Sequence, residues 1–172
     1  MPTPFDDQLD ASVAEARERD ASRLGPRERA VELLVGGGFL AVAVALVLFG
    51  LDGAPFDWGA AAIAVVALAA VSRVEFDVGV AYTRPLQLVL VPMLFILPAA
   101  AVPLCVAAAL TLAKAPETLM GRRPLGRVLM AAGDSWFAVG PAVVFLIATP
   151  GAPDGRDWPI YLAALLSQFV ID

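Results

Sequence analysis

The stretch that decides the fold is "PLQLVLVPMLFILPAAAVPLCVAAALTLA", residues 85–113, which carries no charge over 29 positions. About 20 apolar residues cross a hydrocarbon core of ~30 Å as a helix, so this run is long for one crossing and short for two. Pro85, Pro92, Pro98 and Pro103 lie inside it, and "LPAAAVP" holds the last two five residues apart. Proline lacks the N–H and crowds the preceding helical turn, so this pair marks a turn between helices. Charge decides more firmly. With two crossings here the chain crosses six times, and both ends lie on one side. Arg17, Arg19, Arg23, Arg27, Arg29, Arg73, Arg84, Lys114, Arg122, Arg123 and Arg127 then fall inside, and only Arg156 falls outside. A single crossing would move Lys114, Arg122, Arg123 and Arg127 outward and erase most of the inner excess of Lys and Arg that orients membrane proteins. The stretch predicts a proline-broken helical hairpin.

Composition agrees. Hydrophobic residues make up 59% of the 172 positions, against roughly 45–50% in globular domains, and the mean hydropathy is +0.77. One soluble core of this size cannot hide so many apolar residues, so the expected fold class is an all-α polytopic membrane bundle of about six short transmembrane helices. Histidine is absent, which removes the commonest general base and zinc ligand. No Ser-His-Asp triad, His-Asp phosphohydrolase pair or GxxxxGK[ST] phosphate loop is present. No catalytic residue, metal site or cofactor is expected, and the chain does not read as an enzyme. Cys105 is the single cysteine, so no intrachain disulfide can form, and "VPLCVAAAL" marks it as a small core residue. The first 30 residues are too charged for a secretory signal. No basic patch with interleaved aromatics points to nucleic acid.

Working outward, residues 1–29 read as a cytoplasmic tail and 30–172 as the membrane domain. Phe5, Leu9, Val13 and Ala16 share one stripe of a helix over 5–23, where Glu15 and Arg19 can pair. Gly25 can close that helix and Pro26 can open the next. Leu33–Leu51 is long enough for a first crossing, with a slim inner end at Gly36, Gly37 and Gly38. "DGAPFDW" closes it with acids and an interfacial Trp58, and an Ala-rich second span runs from Trp58 to Ser72. After the hairpin, whose third helix must borrow residues from 75–85 and whose fourth extends toward Met120, "PETLMGRRPLGR" forms an inner loop. The fifth span covers Val128–Ala148, broken at "GDSW" and carrying Gly140-Pro141. "TPGAPDGRDWP" is the outer loop, and "WPIYLAALLSQFVI" is the sixth span, with Trp158 and Tyr161 at the outer interface.

Just before the hairpin, "SRVEFDVGVAYTR" alternates like a strand, with Phe76, Val78, Val80 and Tyr82 on one side and Glu75, Asp77 and Thr83 on the other. Extended backbone at membrane depth occurs where it is buried in protein or lines a wet cavity. The segment is therefore an interfacial loop or a cavity wall, and Gly79 permits the second. Glu75 and Asp77 could bind a cation or form a solvated loop edge. Asp134 could cap a helix starting at Ser135, pair with Arg73 or Arg84, or contact a ligand or proton. Gln87 and Gln168, neutral and polar at span depth, read as bonds between helices or as ligand contacts. Trp136 reads as an interfacial anchor. The candidate ligand or switch set is Glu75, Asp77, Arg84, Gln87, Asp134, Trp136 and Gln168.

"VEFDVGVAYTRPLQLVLVPMLFILPAAAVPL", "AAGDSWFAVGPAVV" and "WPIYLAALLSQFVID" resemble the N-terminal multi-span membrane region of actinobacterial signalling proteins that carry cytoplasmic HD-GYP or GGDEF domains. The resemblance covers about residues 30–172 and rests on the "PxQLVxVPMLFxLP" and "GDSWxAxGPA" patterns. It implies a sensory or anchoring input module of cyclic-di-GMP signalling in a bacterial plasma membrane. Both termini would be cytoplasmic, and the last helix would lead to an HD-GYP or GGDEF partner domain absent from this chain. The other partners implied are the lipid bilayer and a second copy in a homodimer. Two alternatives stay open. Six short helices with an "AxxxA" at Ala41 and Ala45 are also similar to the substrate-binding membrane subunits of energy-coupling-factor transporters. A ligand-free scaffold meeting a second copy through Gly36–Gly38 is the other.

Overall fold

The computed structural model describes residues 25–51, 53, 55–74, 76–78, 81–83, 85–119, 132–151 and 153–171. The expected helix over 5–23, most of the "PETLMGRRPLGR" loop and the start of the fifth span lie outside these residues.

Proline and aspartate set the first helix starts. Pro26 opens α1 (Pro26–Gly50), where its fixed φ and missing N–H suit a first turn. Asp57 caps α2 (Trp58–Val71), its carboxylate accepting from the Ala60 N–H at 3.0 Å and so satisfying a donor the helix start would orphan. The hairpin follows. Helix α3 (Gln87–Ile96) ends where Leu97 and Pro98 become extended (ψ 154° and 122°), and a 3-10 turn at Ala99–Ala101 leads into α4 (Val102–Leu119). The break expected at "GDSW" is also present: a helical piece at Ala132–Gly133, a turn at Asp134–Ser135 and a 3-10 turn at Trp136–Ala138 precede α5 (Val139–Ala148). A last 3-10 turn, Gly155–Asp157, opens α6 (Trp158–Ile171). Six α-helices are thus formed by the described residues.

The bundle is all-helical as expected, apart from one short ribbon between α2 and α3. Strands β1 (Phe76–Val78) and β2 (Ala81–Thr83) pair antiparallel, with Phe76 opposite Thr83, Asp77 opposite Tyr82 and Val78 opposite Ala81. One continuous alternating strand would leave two rows of N–H and C=O groups unpaired, and doubling back lets the segment satisfy part of its own backbone. The same ribbon explains why α3 gains nothing from residues 75–85 and keeps only ten residues.

Contacts between helices fix their directions. At one end the Trp136 indole Nε1–H donates to the Val35 carbonyl at 3.1 Å, Lys114 meets Asp134, and Arg73 reaches the Ala113 carbonyl. At the other end Gly50 sits against Ala100 and Leu146. Helix α1 therefore runs from the first end to the second, α2 and α4 run back toward Arg73 and Lys114, and α5 runs out again toward Leu146. Phe95, near the end of α3, and Tyr161, near the start of α6, stack on Phe145 at the second end. Successive helices alternate in direction, and the start of α1 and the end of α6 share one end. The ribbon, joining α2 to α3, lies at that same end.

Two layers of core hold this arrangement. Leu68, Leu90, Met93, Val106, Ala109 and Phe145 knit α2 to α5 together. Phe39 and Ala43, four residues apart on α1, dock on Ala107 of α4 and Val139 of α5. It is Ala43, not Ala41 or Ala45, that turns fully inward. Helix α2 lies along α4, and α5 along α6. At Gly140 a methyl group would sit 2.7 Å from the Ser167 carbonyl oxygen and 2.9 Å from its carbon. The backbones of α5 and α6 touch there, as small residues allow in lipid.

Outside that core the surface is apolar. Phe49, Ile147 and Val170 are 82%, 81% and 84% exposed, and only 17% of the apolar part of α1 is buried. Contiguous apolar surface of this kind marks a membrane or protein interface. Two helical segments, Ala30–Gly50 and Ala99–Pro116, are long and apolar enough to cross a bilayer. The other apolar helices are shorter: fourteen residues of α2 span about 21 Å at ~1.5 Å each.

Candidate functional site

Helices α3 and α6 flank α5 and leave a cleft of about 310 Å³, open on one side. Its floor is Pro141 and Phe145 of α5, and α3 contributes Leu90, Val91 and Leu94. Helix α6 contributes Tyr161, Ala164, Leu165 and Gln168. The spacing i, i+3, i+4, i+7 puts these four on one helical face, so periodicity alone aims them at a common neighbour. The volume falls at the lower end of the ~300–1,000 Å³ typical of small-molecule sites.

One end of the cleft is closed by rings. Phe95 meets Phe145 edge-on at 5.1 Å and Tyr161 at 5.7 Å, the T-shaped arrangement that aligns a positive ring edge with a negative ring face. The Tyr161 hydroxyl accepts from the Asp154 backbone N–H at 3.1 Å, which ties the 149–157 loop over the plug, and Pro153 of that loop completes the wall. Toward the other end lie Gln87 and Gln168. The structure thus brings together two of the residues expected from sequence. Among the described residues no charged side chain lines the cleft.

The remaining candidates go elsewhere. Glu75 and Arg84 lie outside the described residues. Asp77 sits in β1 opposite Tyr82. Asp134 meets Lys114 Nζ at 2.6 Å, a partner that the sequence reading did not name. Arg73 is engaged by the Ala113 carbonyl, to which its Nε donates at 3.1 Å and its Nη2 also donates. Nor does Asp134 cap the next turn: Ser135 holds that position, without a side-chain cap bond. Trp136 reads from sequence as an interfacial anchor. Its bond to Val35 and its edge-on contact with Phe39 at 5.8 Å also make it a tie between α1 and the start of α5. Asp134 and Lys114 are 59% and 30% exposed, and exposed ion pairs stabilise by only about 0–1 kcal/mol. Asp134→Asn should therefore shift thermal stability in detergent by no more than a few degrees.

Sequence reasoning missed Lys114 as the partner of Asp134 and missed Glu32, one of whose carboxylate oxygens is buried without a hydrogen-bond partner among the described residues. It also missed the plug, although Phe95, Phe145 and Tyr161 each belong to a legible apolar helix. Cys105, half-buried and unbridged, packs against the larger core as expected. Among the described residues no cluster of His, Cys, Asp or Glu could hold a metal ion.

No known protein family, curated protein or solved structure matches this chain. What stands is a class: a helical protein whose described residues present a largely apolar surface, two helices long and apolar enough to cross a bilayer, and a cleft without charged lining.

Proposed function

We propose that the chain is a membrane-embedded input domain that crosses a bacterial plasma membrane six times and passes a change in helix packing through α6 to a cytoplasmic output domain. The observation that carries this reading is the double position of α6. It forms one wall of the cleft, and it ends at the end of the bundle where α1 begins. An occupant that changes the cleft would bias the α5–α6 crossing, a bistable contact of the kind that relays signals. The alternating helix directions, the apolar outer faces and the distribution of Lys and Arg support six crossings with both ends inside. The resemblance of its sequence patterns to HD-GYP and GGDEF input regions suggests a cyclic-dinucleotide enzyme as the output.

The test is a fusion of a diguanylate cyclase catalytic domain after Asp172, with zero to four alanines inserted at the joint. Transmission through a helix predicts that cellular cyclic-di-GMP rises and falls with a period near 3.6 residues. Output independent of linker length removes the signalling role. One observation favours a second reading, a dimerisation module without a ligand. At Gly37 an added side chain would meet nothing within 4 Å, so this face of α1 is open to a second copy.

A further inference from the structure

We propose that the cleft between α3 and α6 holds one acyl chain of a neutral membrane lipid, with the chain lying along Leu90, Leu94 and Leu165 and its ester end at Gln87 and Gln168. The inference rests on the membrane reading above and names the ligand class of the same site.

Wall chemistry limits the occupant first. Apart from two carboxamides and the Tyr161 hydroxyl, the lining side chains are apolar, and the hydroxyl already accepts from Asp154. Along this wall a charged ligand would lose its hydration and meet no opposite charge among the described residues, so the occupant is uncharged where it touches the wall. Carboxamides offer both N–H donors and an acceptor oxygen, which suits an ester carbonyl or a hydroxyl.

Shape limits it further. The Phe95–Phe145–Tyr161 plug and Pro153 block one end, so an elongated molecule enters from the side or past the glutamines. The side opening is edged by Val91 and Leu165, 49% and 46% exposed, and these apolar rims continue onto surfaces that face lipid if α3 and α6 cross the membrane. At roughly 30 Å³ per water-sized unit, about 310 Å³ takes a chain of about ten carbons. It is too small for a two-chain lipid. A polar group at one end, an apolar barrel and an aromatic stop at the other describe a chain with a single polar head. Entry of the chain would press on Ala164 and Leu165, the face of α6 that the output would read.

The experiment uses the full chain in phosphatidylcholine vesicles containing a phosphatidylcholine whose acyl chain carries a mid-chain diazirine. After illumination, adducts are mapped by mass spectrometry. The expected result is enrichment of adducts at Leu90, Val91, Leu94 and Leu165 over the outward residues Leu48, Phe49 and Val170, by at least fivefold. Ala164→Phe, which fills the cleft from its wall, should abolish the enrichment. Leu165→Phe, at the exposed rim where it cannot disturb the core, should reduce it at least twofold with helix content unchanged. Even labelling of cleft and outward residues, or enrichment that survives both substitutions, would overturn the proposal while leaving the membrane reading intact. Protein that fails to float with the vesicles and gains no adducts would overturn both.

Discussion

Gly140→Leu is expected to abolish the folded bundle. The hydrogen of Gly140 is replaced by a side chain whose first carbon would lie 2.7–2.9 Å from the backbone of Ser167, and backbone cannot swing aside as a flexible side chain can. Overpacking of an ordinary core costs about 1–3 kcal/mol. Here the only relief is to part α5 from α6, which opens the cleft that both line and leaves Ser167 without its neighbour. Gly140→Ala already meets the same atoms, so it should lower the melting temperature in detergent by several degrees, and Gly140→Leu should leave no cooperative transition. A crossing set instead by the side chains around it would tolerate alanine.

Phe39→Ala is the second large effect, and its size reports on the solvent. The ring is fully buried between α1 and α5 and meets Trp136 edge-on. In water such a truncation costs about 3–5 kcal/mol, the sum of a transfer term and a cavity term. In a bilayer the separated helix keeps its phenyl ring in hydrocarbon, so the transfer term largely vanishes and lost packing remains. The expected loss is therefore on the order of 2 kcal/mol when unfolding is measured in lipid or in a mild detergent. A loss near the upper aqueous value would say that α1 docks in water, as a soluble domain would.

These two sites show how sequence and structure divide the information. Helix breaks were legible because proline and charge act locally: "LPAAAVP" and "GDSW" each stop a helix whatever surrounds them. The extended character of the segment that holds β1 and β2 was legible and its pairing was not, because period-two alternation says which faces a strand has and nothing about where its backbone finds partners. The chain supplies those partners itself, β1 pairing with β2. Gln87 and Gln168 stood out as polar residues in apolar runs, and both line the cleft. Their proximity was hidden, because it depends on α3 and α6 flanking the same helix. The pairing of Asp134 with Lys114 was hidden for a related reason. Charge patterning put eleven cations on one side of the membrane, and it is the packing of α4 beside the break before α5 that brings Lys114 to Asp134. The role of Gly140 was half-legible: Gly140-Pro141 was visible within the fifth span, and the close approach of Ser167 was not.

The central claim is that residues 85–113 form two crossings of six, and labelling of single cysteines in intact cells tests it most directly. With Cys105 replaced by alanine, cysteines at Pro55, Val74, Gly151 and Asp172 are each exposed in turn to a membrane-impermeant maleimide. The account predicts labelling of Pro55→Cys and Gly151→Cys from outside, and of Val74→Cys and Asp172→Cys only after the cells are permeabilised. Labelling of Asp172→Cys in intact cells together with protection of Gly151→Cys would mean that the stretch crosses once, and the six-crossing bundle would be wrong.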